Sequence, residues 1–310
     1  MTHVSYYFQH TEQRKLDRVV QHPLFDKLIQ YFVDHQDQEI ILRELKRVFS
    51  NEQHSEKHFE QFLEDVIRFD LIRREERRYF LNFPLFQAAD LQNVHKDQAL
   101  KLKEHLQDLS ELQRIHCYGD TLWDALFSTE GDYFYGIVSE DPLFFERHQA
   151  GNDQLTFVSV YPKGATPFNL AAYFTVMADT SGDNLPQIYQ PLQRLIGDVD
   201  SVYFATQAYR MVRAVRKNRR IADKRNIFLE SLLLTKDVTR TEEGYAFLTP
   251  VLTEDDTQHI TQTLNLEEFL RPFQQMNDRN QRVLSKQLFY QSCLNIFLGD
   301  SLELTYFIYR

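Results

Sequence analysis

Apolar residues in the first third of the chain fall at helical spacing three times. Phe25, Leu28, Ile29, Phe32 and Val33 recur at i, i+3, i+4, i+7 and i+8, the mark of one buried helical face. Pro23 stands just ahead of them, where a first helical turn tolerates it. Ile41, Leu42, Leu45, Val48 and Phe49 predict a shorter second helix, entered from a strand-like Glu39-Ile40-Ile41. A third helix is expected from about Ser55, a capping residue type, with Phe59, Phe62, Leu63, Val66 and Ile67 on its buried face. The period then changes. Leu71-Ile-Arg-Arg and Arg77-Arg-Tyr-Phe-Leu81 predict two short strands around a tight turn at Glu75-Glu76.

Beyond Pro84 the pattern is less regular. Leu100, Leu102, Leu106, Leu109 and Leu112 lie near helical spacing in a charged stretch and predict a connecting helix from Lys96 to about Ile115. Tyr133 to Val138 and Leu155 to Tyr161 read as strands, the second stopped by Pro162 and Gly164. Leu170 to Met177, Ile188 to Ile196 and Val202 to Arg225 read as helices. Leu232-Leu-Leu-Thr and Tyr245-Ala-Phe-Leu-Thr are expected to pair as a hairpin, because Gly244 and charged residues separate them. Two or three further helices are expected before Leu298, and Leu302 to Tyr309 closes the chain as a strand. A length of 310 residues exceeds the usual single core and predicts two domains. The expected fold class is α+β: a domain over residues 1–86, a connecting helix over 87–118, and a larger mixed domain over 119–310.

Helix, short helix, helix and hairpin within about the first 83 residues resembles the winged helix-turn-helix family. The resemblance is sharpest at Val66-Ile-Arg-Phe-Asp-Leu-Ile-Arg-Arg, which looks like the end of a recognition helix passing into the first wing strand. The family usually reads DNA with the exposed face of its third helix and sets the wing against phosphates. Carried to this chain, that face is Lys57, Gln61, Glu64 and Arg68, and the wing is Arg73, Arg74, Arg77 and Arg78. Four guanidiniums near a turn suit phosphate or minor-groove contact. The helix suits it less well, since Glu56, Glu60, Glu64 and Asp65 would repel a polyanion, and the turn holds Glu75-Glu76 where many members have glycine.

Composition narrows the function classes. With 43% hydrophobic and 14% aromatic residues the chain can bury substantial cores, which excludes disorder by composition. The longest apolar stretch, Leu170 to Ala178, is far too short for a membrane span, and the N-terminus lacks the basic start and apolar centre of a signal peptide. Cys117 and Cys293 are the only cysteines and read as two buried thiols in a reducing, cytoplasmic setting. The formal net charge is −10, yet Arg210 to Arg225 holds eight basic residues against Asp223 alone, so that stretch carries +7 and the rest of the chain −17. On a helical wheel Arg210, Arg213, Lys217, Arg220 and Lys224 fall within about 80° of arc, with Phe204, Ala208, Met211, Val215 and Ala222 opposite, in a helix about 30 Å long or more. This basic stripe reads either as a phosphate-facing surface or as a solvated face paired with the chain's many carboxylates.

Enzyme signals are weak. No Gly-x-Gly, Gly-x-Ser-x-Gly or His-Glu-x-x-His is present, and no cofactor or metal is expected. His54 and His58 would share a helix face, but two ligands make no metal site. His116-Cys117 offers a base beside a thiol with no orienting partner, and Asp120, Asp124, Glu130 and Asp132 near Trp123 read as caps and loop carboxylates. The leading expectation is therefore a DNA-binding regulator or DNA-associated factor with duplex DNA as partner and a C-terminal dimerisation or sensing domain. The alternatives are a protein-interaction module that docks or dimerises through its winged helix, and an enzyme acting on a phosphorylated substrate held by the basic stripe.

Overall fold

The computed structural model describes residues 4–35, 38–50, 55–138, 144–179, 185–222, 224–257 and 265–310. The chain divides into two units, one of residues 1–92, 129–141 and 277–283, the other of residues 93–128, 142–276 and 284–310.

In the first unit the three expected helices are present as α2 (Phe25–Asp34), α3 (Leu42–Phe49) and α4 (Glu56–Arg68), preceded by strand β1 (Val4–Gln9) and helix α1 (Gln13–Val20). Ser55 caps α4, its hydroxyl accepting from the backbone N–H of His58 at 3.3 Å. Strand β2 (Ile40–Ile41) lies between α2 and α3, and β3 (Ile72–Glu75) and β4 (Arg78–Leu81) follow α4. These three strands form one antiparallel sheet in the order β2-β4-β3, with Ile40 opposite Tyr79 on one edge and Arg74 opposite Tyr79 on the other. Phe25, Leu28, Leu45, Phe59 and Val66, residues whose spacing predicted the helices, are buried together with Ile72 of β3.

The turn of the hairpin is Glu76-Arg77, one residue beyond the expected Glu75-Glu76, because Glu75 pairs with Arg78 in the ladder. Both turn residues have positive φ, 46° and 69°, the two-residue geometry whose twist matches that of the strands it joins.

The expected boundary at residue 86 is corrected. Strand β5 (Leu85–Gln87) pairs in parallel with β6 (Tyr133–Val138), and β6 pairs antiparallel with β1, Tyr7 facing Tyr135. The N-terminal unit thus takes in a strand from far along the chain, and Phe134 packs against Phe25, Phe83 and Phe8. Asn277–Val283 belongs to the same unit. The Asn280 side chain accepts the Phe134 N–H at 3.1 Å, and Arg279 donates to the Asp132 carbonyl at 2.9 Å.

In the second unit the expected connecting helix is two helices, α5 (Lys96–His105) and α6 (Glu111–His116). Ser110 breaks the run by founding a capping box with Gln113, its hydroxyl accepting at 3.2 Å and its N–H donating at 2.9 Å. A π-helical turn, Cys117–Thr121, joins α6 to α7 (Leu122–Phe127). Strands β7 (Phe145–Gly151) and β8 (Leu155–Pro162) are followed by helices α8 (Leu170–Asp179), α9 (Gln190–Ile196), α10 (Ser201–Arg216) and α11 (Ile227–Leu234). The expected strand at Leu232 is the end of α11. Asn226 caps that helix by accepting the N–H groups of Phe228 and Leu229, and the hairpin forms later, from β9 (Val238–Thr241) and β10 (Gly244–Phe247). Strand β11 (Val251–Leu252), helices Glu267–Gln274 and Arg279–Leu298, and β12 (Leu304–Tyr309) complete the chain.

The central sheet of this unit runs β11-β12-β8-β7, β12 antiparallel to β8 with Phe307 facing Phe157. Alternate residues serve opposite cores. Phe157 and Phe307 pack with α8 and α10, whereas Val158, Val160 and Tyr306 pack with α5, α6 and the helix Arg279–Leu298. Both faces are covered, which is why these strands read as unbroken apolar runs. The protein is α+β, and among the described residues no helix is long and apolar enough to cross a membrane.

Candidate nucleic-acid interface

The β3–β4 hairpin carries Arg73, Arg74 and Arg78 on paired strand backbone and Arg77 in its turn. Arg73, Arg74 and Arg77 are exposed and Arg78 is half-buried. Their partners differ. Arg78 pairs with Glu39 at 2.9 Å and Arg73 with Glu75 at 3.3 Å, while Arg73 and Arg74 also lie over the rings of Phe80 and Tyr79 at 5.4 and 5.8 Å. Ring contact fixes the stem of each arginine while its outer edge stays in water. Arg77, at the apex, makes no ion pair among the described residues.

On α4 the face expected to read bases is exposed: Lys57, Gln61, Glu64 and Arg68 all reach solvent. The acidic character expected of it is partly relieved. Lys46 on α3 forms ion pairs with Glu56, at 3.5 Å, and with Glu60. Arg68 is engaged, its guanidinium donating to Glu12 at 2.7 Å, and Lys15 pairs with the same carboxylate at 2.9 Å. These contacts hold the Glu12 carboxyl below the usual range, the Lys15 hydrogen bond contributing most. Helix α1, which residue spacing does not reveal, lies beside α4, and the two bound a groove of about 360 Å³. Lys15, Arg18 and His22 line one wall, and His58, Gln61 and Arg68 the other. The signal for α1 was Leu16, Val19 and Val20 among charges, a pattern one helical turn too short to stand out.

The basic stripe is corrected in its structure. Helix α10 ends at Arg216, so Arg220 and Lys224 are not on it. Asn218 takes positive φ of 46°, and the N–H groups of Asn218 and Arg219 return to the carbonyls of Val215 and Ala214, a closed C-terminal cap. All five residues of the stripe are nevertheless exposed, and none of Arg210, Arg213, Lys217, Arg220 and Lys224 forms an ion pair among the described residues. Asp223 lies outside those residues.

The remaining candidates separate. His54, and with it the His54–His58 pair, lies outside the described residues, and among those described no three metal-ligating side chains converge. Cys117 and Cys293 are free and buried. Burial pushes the Cys117 thiol up to about 12, so it is no thiolate nucleophile near neutrality. Glu130 pairs with Arg282 at 3.4 Å and Asp132 accepts the Thr11 N–H at 3.0 Å, both in the first unit, while Asp120 belongs to the second. There Asp120 accepts from His116 Nδ1 at 2.8 Å and pairs with Arg147, whose Nε donates to the Gly119 carbonyl at 2.8 Å. Burial raises the Asp120 carboxyl, but the His116 hydrogen bond and the Arg147 charge outweigh it and hold the group below its ordinary value. The i, i+4 spacing of His116 and Asp120 was visible in the sequence; the arginine, 27 residues on, was not.

Residues 5–115 match the family model described as Domain of unknown function (DUF1803). The matched span begins in β1 and ends in α6, so it exceeds the helix–hairpin segment at both ends. No curated protein and no solved structure matches the chain.

Proposed function

We propose that Phe25–Leu81 is a winged helix that binds duplex DNA, in a cytoplasmic regulator or other DNA-associated factor. The observation that carries this reading is the sheet order β2-β4-β3 after three helices, with arginines at a two-residue apex. The chemistry assigns unequal roles. Arg77 and Arg74 lack carboxylate partners among the described residues and would meet phosphates, whereas Arg78 and Arg73 already hold Glu39 and Glu75. Lys57 and Gln61 are the helix positions open to base edges, and Arg68 would first have to leave Glu12. Affinity then rests on few cations and falls steeply with salt.

The test is fluorescence anisotropy of the full chain with a labelled random-sequence duplex across a salt series. Replacing Arg73, Arg74 and Arg77 with Ala should weaken binding to every sequence and flatten the log–log salt slope by about 0.9 for each phosphate no longer neutralised. Undetectable binding at low salt, or a triple variant that binds as well as the parent, removes the proposal. One observation favours a second reading, in which the same module docks on a protein partner or a second copy: Glu64 and Asp65 stand exposed at the centre of α4 while Arg68 is neutralised.

A further inference from the structure

Helix α10 has one face buried and one open. Phe204, Ala205, Ala208, Val212 and Val215 are buried against the sheet core. At about 100° per residue, Tyr203, Thr206, Tyr209, Arg210, Arg213, Arg216 and Lys217 share the opposite arc, about 140° wide. This face contains no carboxylate, since the sixteen residues of α10 include neither Asp nor Glu. Tyr203 is 52% exposed. Tyr309, the last residue of β12, stacks on Tyr209 with ring centroids 4.8 Å apart and planes 1° from parallel. The Arg216 guanidinium lies 4.5 Å from the centroid of the Tyr309 ring. Tyr209 and Arg216 are seven residues, about 10.5 Å, apart along the helix, so the Tyr309 ring fills the space between them. The result is a ladder of flat groups, Tyr209–Tyr309–Arg216, beside a row of cations.

Past the helix end the charge continues through Arg219, Arg220, Lys224 and Arg225, all exposed. Among the described residues Arg225 alone of this group has a carboxylate partner, Glu230 at 3.7 Å. Two ordinary explanations fall short. A helix C-terminus favours cations, but its field reaches only the last turn, which accounts for Arg213, Arg216 and Lys217 and not for Arg210, Arg220 or Lys224. Neutralisation by the chain's own acidic surface would leave ion pairs to these side chains, and the described residues show none. Unpaired cations within a Debye length of one another, about 8–10 Å, repel, and only solution ions relieve them. A polyanion displaces those ions and gains free energy from their release.

The rings decide which polyanion. Lipid headgroups, polyphosphate and duplex DNA would use the cations alone, because they offer no unstacked base. Single-stranded nucleic acid has phosphates for the cations and free base faces for the aromatic and guanidinium planes. We infer that the open face of α10, with Tyr309 and the cations Lys217, Arg219, Arg220 and Lys224, is a binding surface for single-stranded nucleic acid, independent of the wing in the first unit. Phosphates lie along Arg210, Arg213, Lys217 and Arg220, and bases stack on Tyr203 and on the outer face of Arg216.

The experiment uses the full chain with fluorescein-labelled oligothymidylate of about twenty nucleotides, which has no secondary structure. The parent should bind with a log–log salt slope of about −0.7 for each phosphate contacted. Replacing Arg210, Arg213 and Lys217 with Gln keeps helix propensity nearly level, so far-UV circular dichroism should be unchanged. Binding should fall at least tenfold and the slope flatten by about 2. Tyr203→Ala should weaken binding several-fold with the slope unchanged, since a stacked base carries no counterion. The Arg73, Arg74 and Arg77 variant should bind the oligonucleotide as the parent does, which separates this site from the duplex reading. A triple Gln variant that binds normally overturns the proposal. So does inorganic polyphosphate competing equally per charge while Tyr203→Ala has no effect, or phosphatidylserine vesicles that capture the parent more tightly than the oligonucleotide does.

Discussion

Arg77 is the residue at which the demands of the fold and of the proposed duplex contact oppose each other most directly. It sits at φ 69° beside Glu76 at φ 46°, with Glu75 and Arg78 closing the ladder behind them. A left-handed conformation costs a residue with a side chain about 1–2 kcal/mol relative to glycine. Glycine gives back about 0.5–1 kcal/mol through the greater entropy it loses on folding. Arg77→Gly should therefore stabilise the hairpin by roughly 0.5–1 kcal/mol. That is about a two- to fivefold rise in protection of amides that exchange by local opening of β3 and β4. Hydrogen-exchange mass spectrometry on peptides covering residues 69–86 reads this locally, where a global melt of a two-unit chain would blur it. The same substitution removes the apex cation, so duplex binding should weaken and its salt slope drop by about 0.9. Arg77→Ala removes the charge equally but keeps the backbone cost, and should lower binding without raising protection. If Gly and Ala variants exchange alike, the left-handed turn imposes no cost on Arg77.

Asp237 is buried, its two carboxyl oxygens accepting from Thr249 at 2.6 Å and Thr235 at 2.5 Å, and burial pushes it up to about 6. A folded value above the unfolded one near 3.8 means that stability from this group is fully present below about pH 3.8 and is lost as pH rises through 6. The loss is roughly 3 kcal/mol for two pH units. Asp237→Asn, whose amide can still serve both threonines, should therefore raise the melting temperature at pH 8 and have little effect near pH 4. A parent-minus-variant difference that stays flat across that range contradicts the burial argument. Arg147→Met should strand the buried Asp120 and cost about 3–5 kcal/mol in urea unfolding followed by Trp123 fluorescence, with Asp120→Asn restoring part of it. A cost under about 1 kcal/mol would mean that solvent reaches the carboxylate.

Much of the first unit was legible because its helices are amphipathic at the 3.6 period and its core residues lie on those faces. Phe25, Leu28, Leu45, Phe59 and Val66 stand out by spacing and are buried together. What spacing could not supply was partnership across the chain. Tyr133 to Val138 read as a strand, but nothing local says that it pairs with Val4 to Gln9, more than 120 residues away. The unit boundary at residue 86 failed for that reason. The short elements failed for another: β1 and α1 are too brief for periodicity to separate them from loop. At Leu232 the local clue was present and outranked by composition. An apolar run suits strand or buried helix equally, and the capping Asn226 decides for helix.

The basic stretch shows how one backbone detail redistributes charge without cancelling it. A helix continuous to Lys224 would hold all five cations in one stripe, whereas Asn218, a residue type that accepts the left-handed region, stops it after Arg216. Arg219, past the end of the helix, is exposed to solvent. The cations past the stop are then free of helical geometry while Arg210, Arg213, Arg216 and Lys217 are held by it, an ordered row followed by an adaptable one. The β3–β4 hairpin differs in kind, because Glu39 and Glu75 already hold two of its four arginines. A surface that must release its own carboxylates recovers less from counterion release than one whose cations have no carboxylate partner among the described residues. Single-strand binding at α10 should therefore show a steeper salt slope for each cation engaged than duplex binding at the wing, once the smaller value for each single-strand phosphate is allowed for.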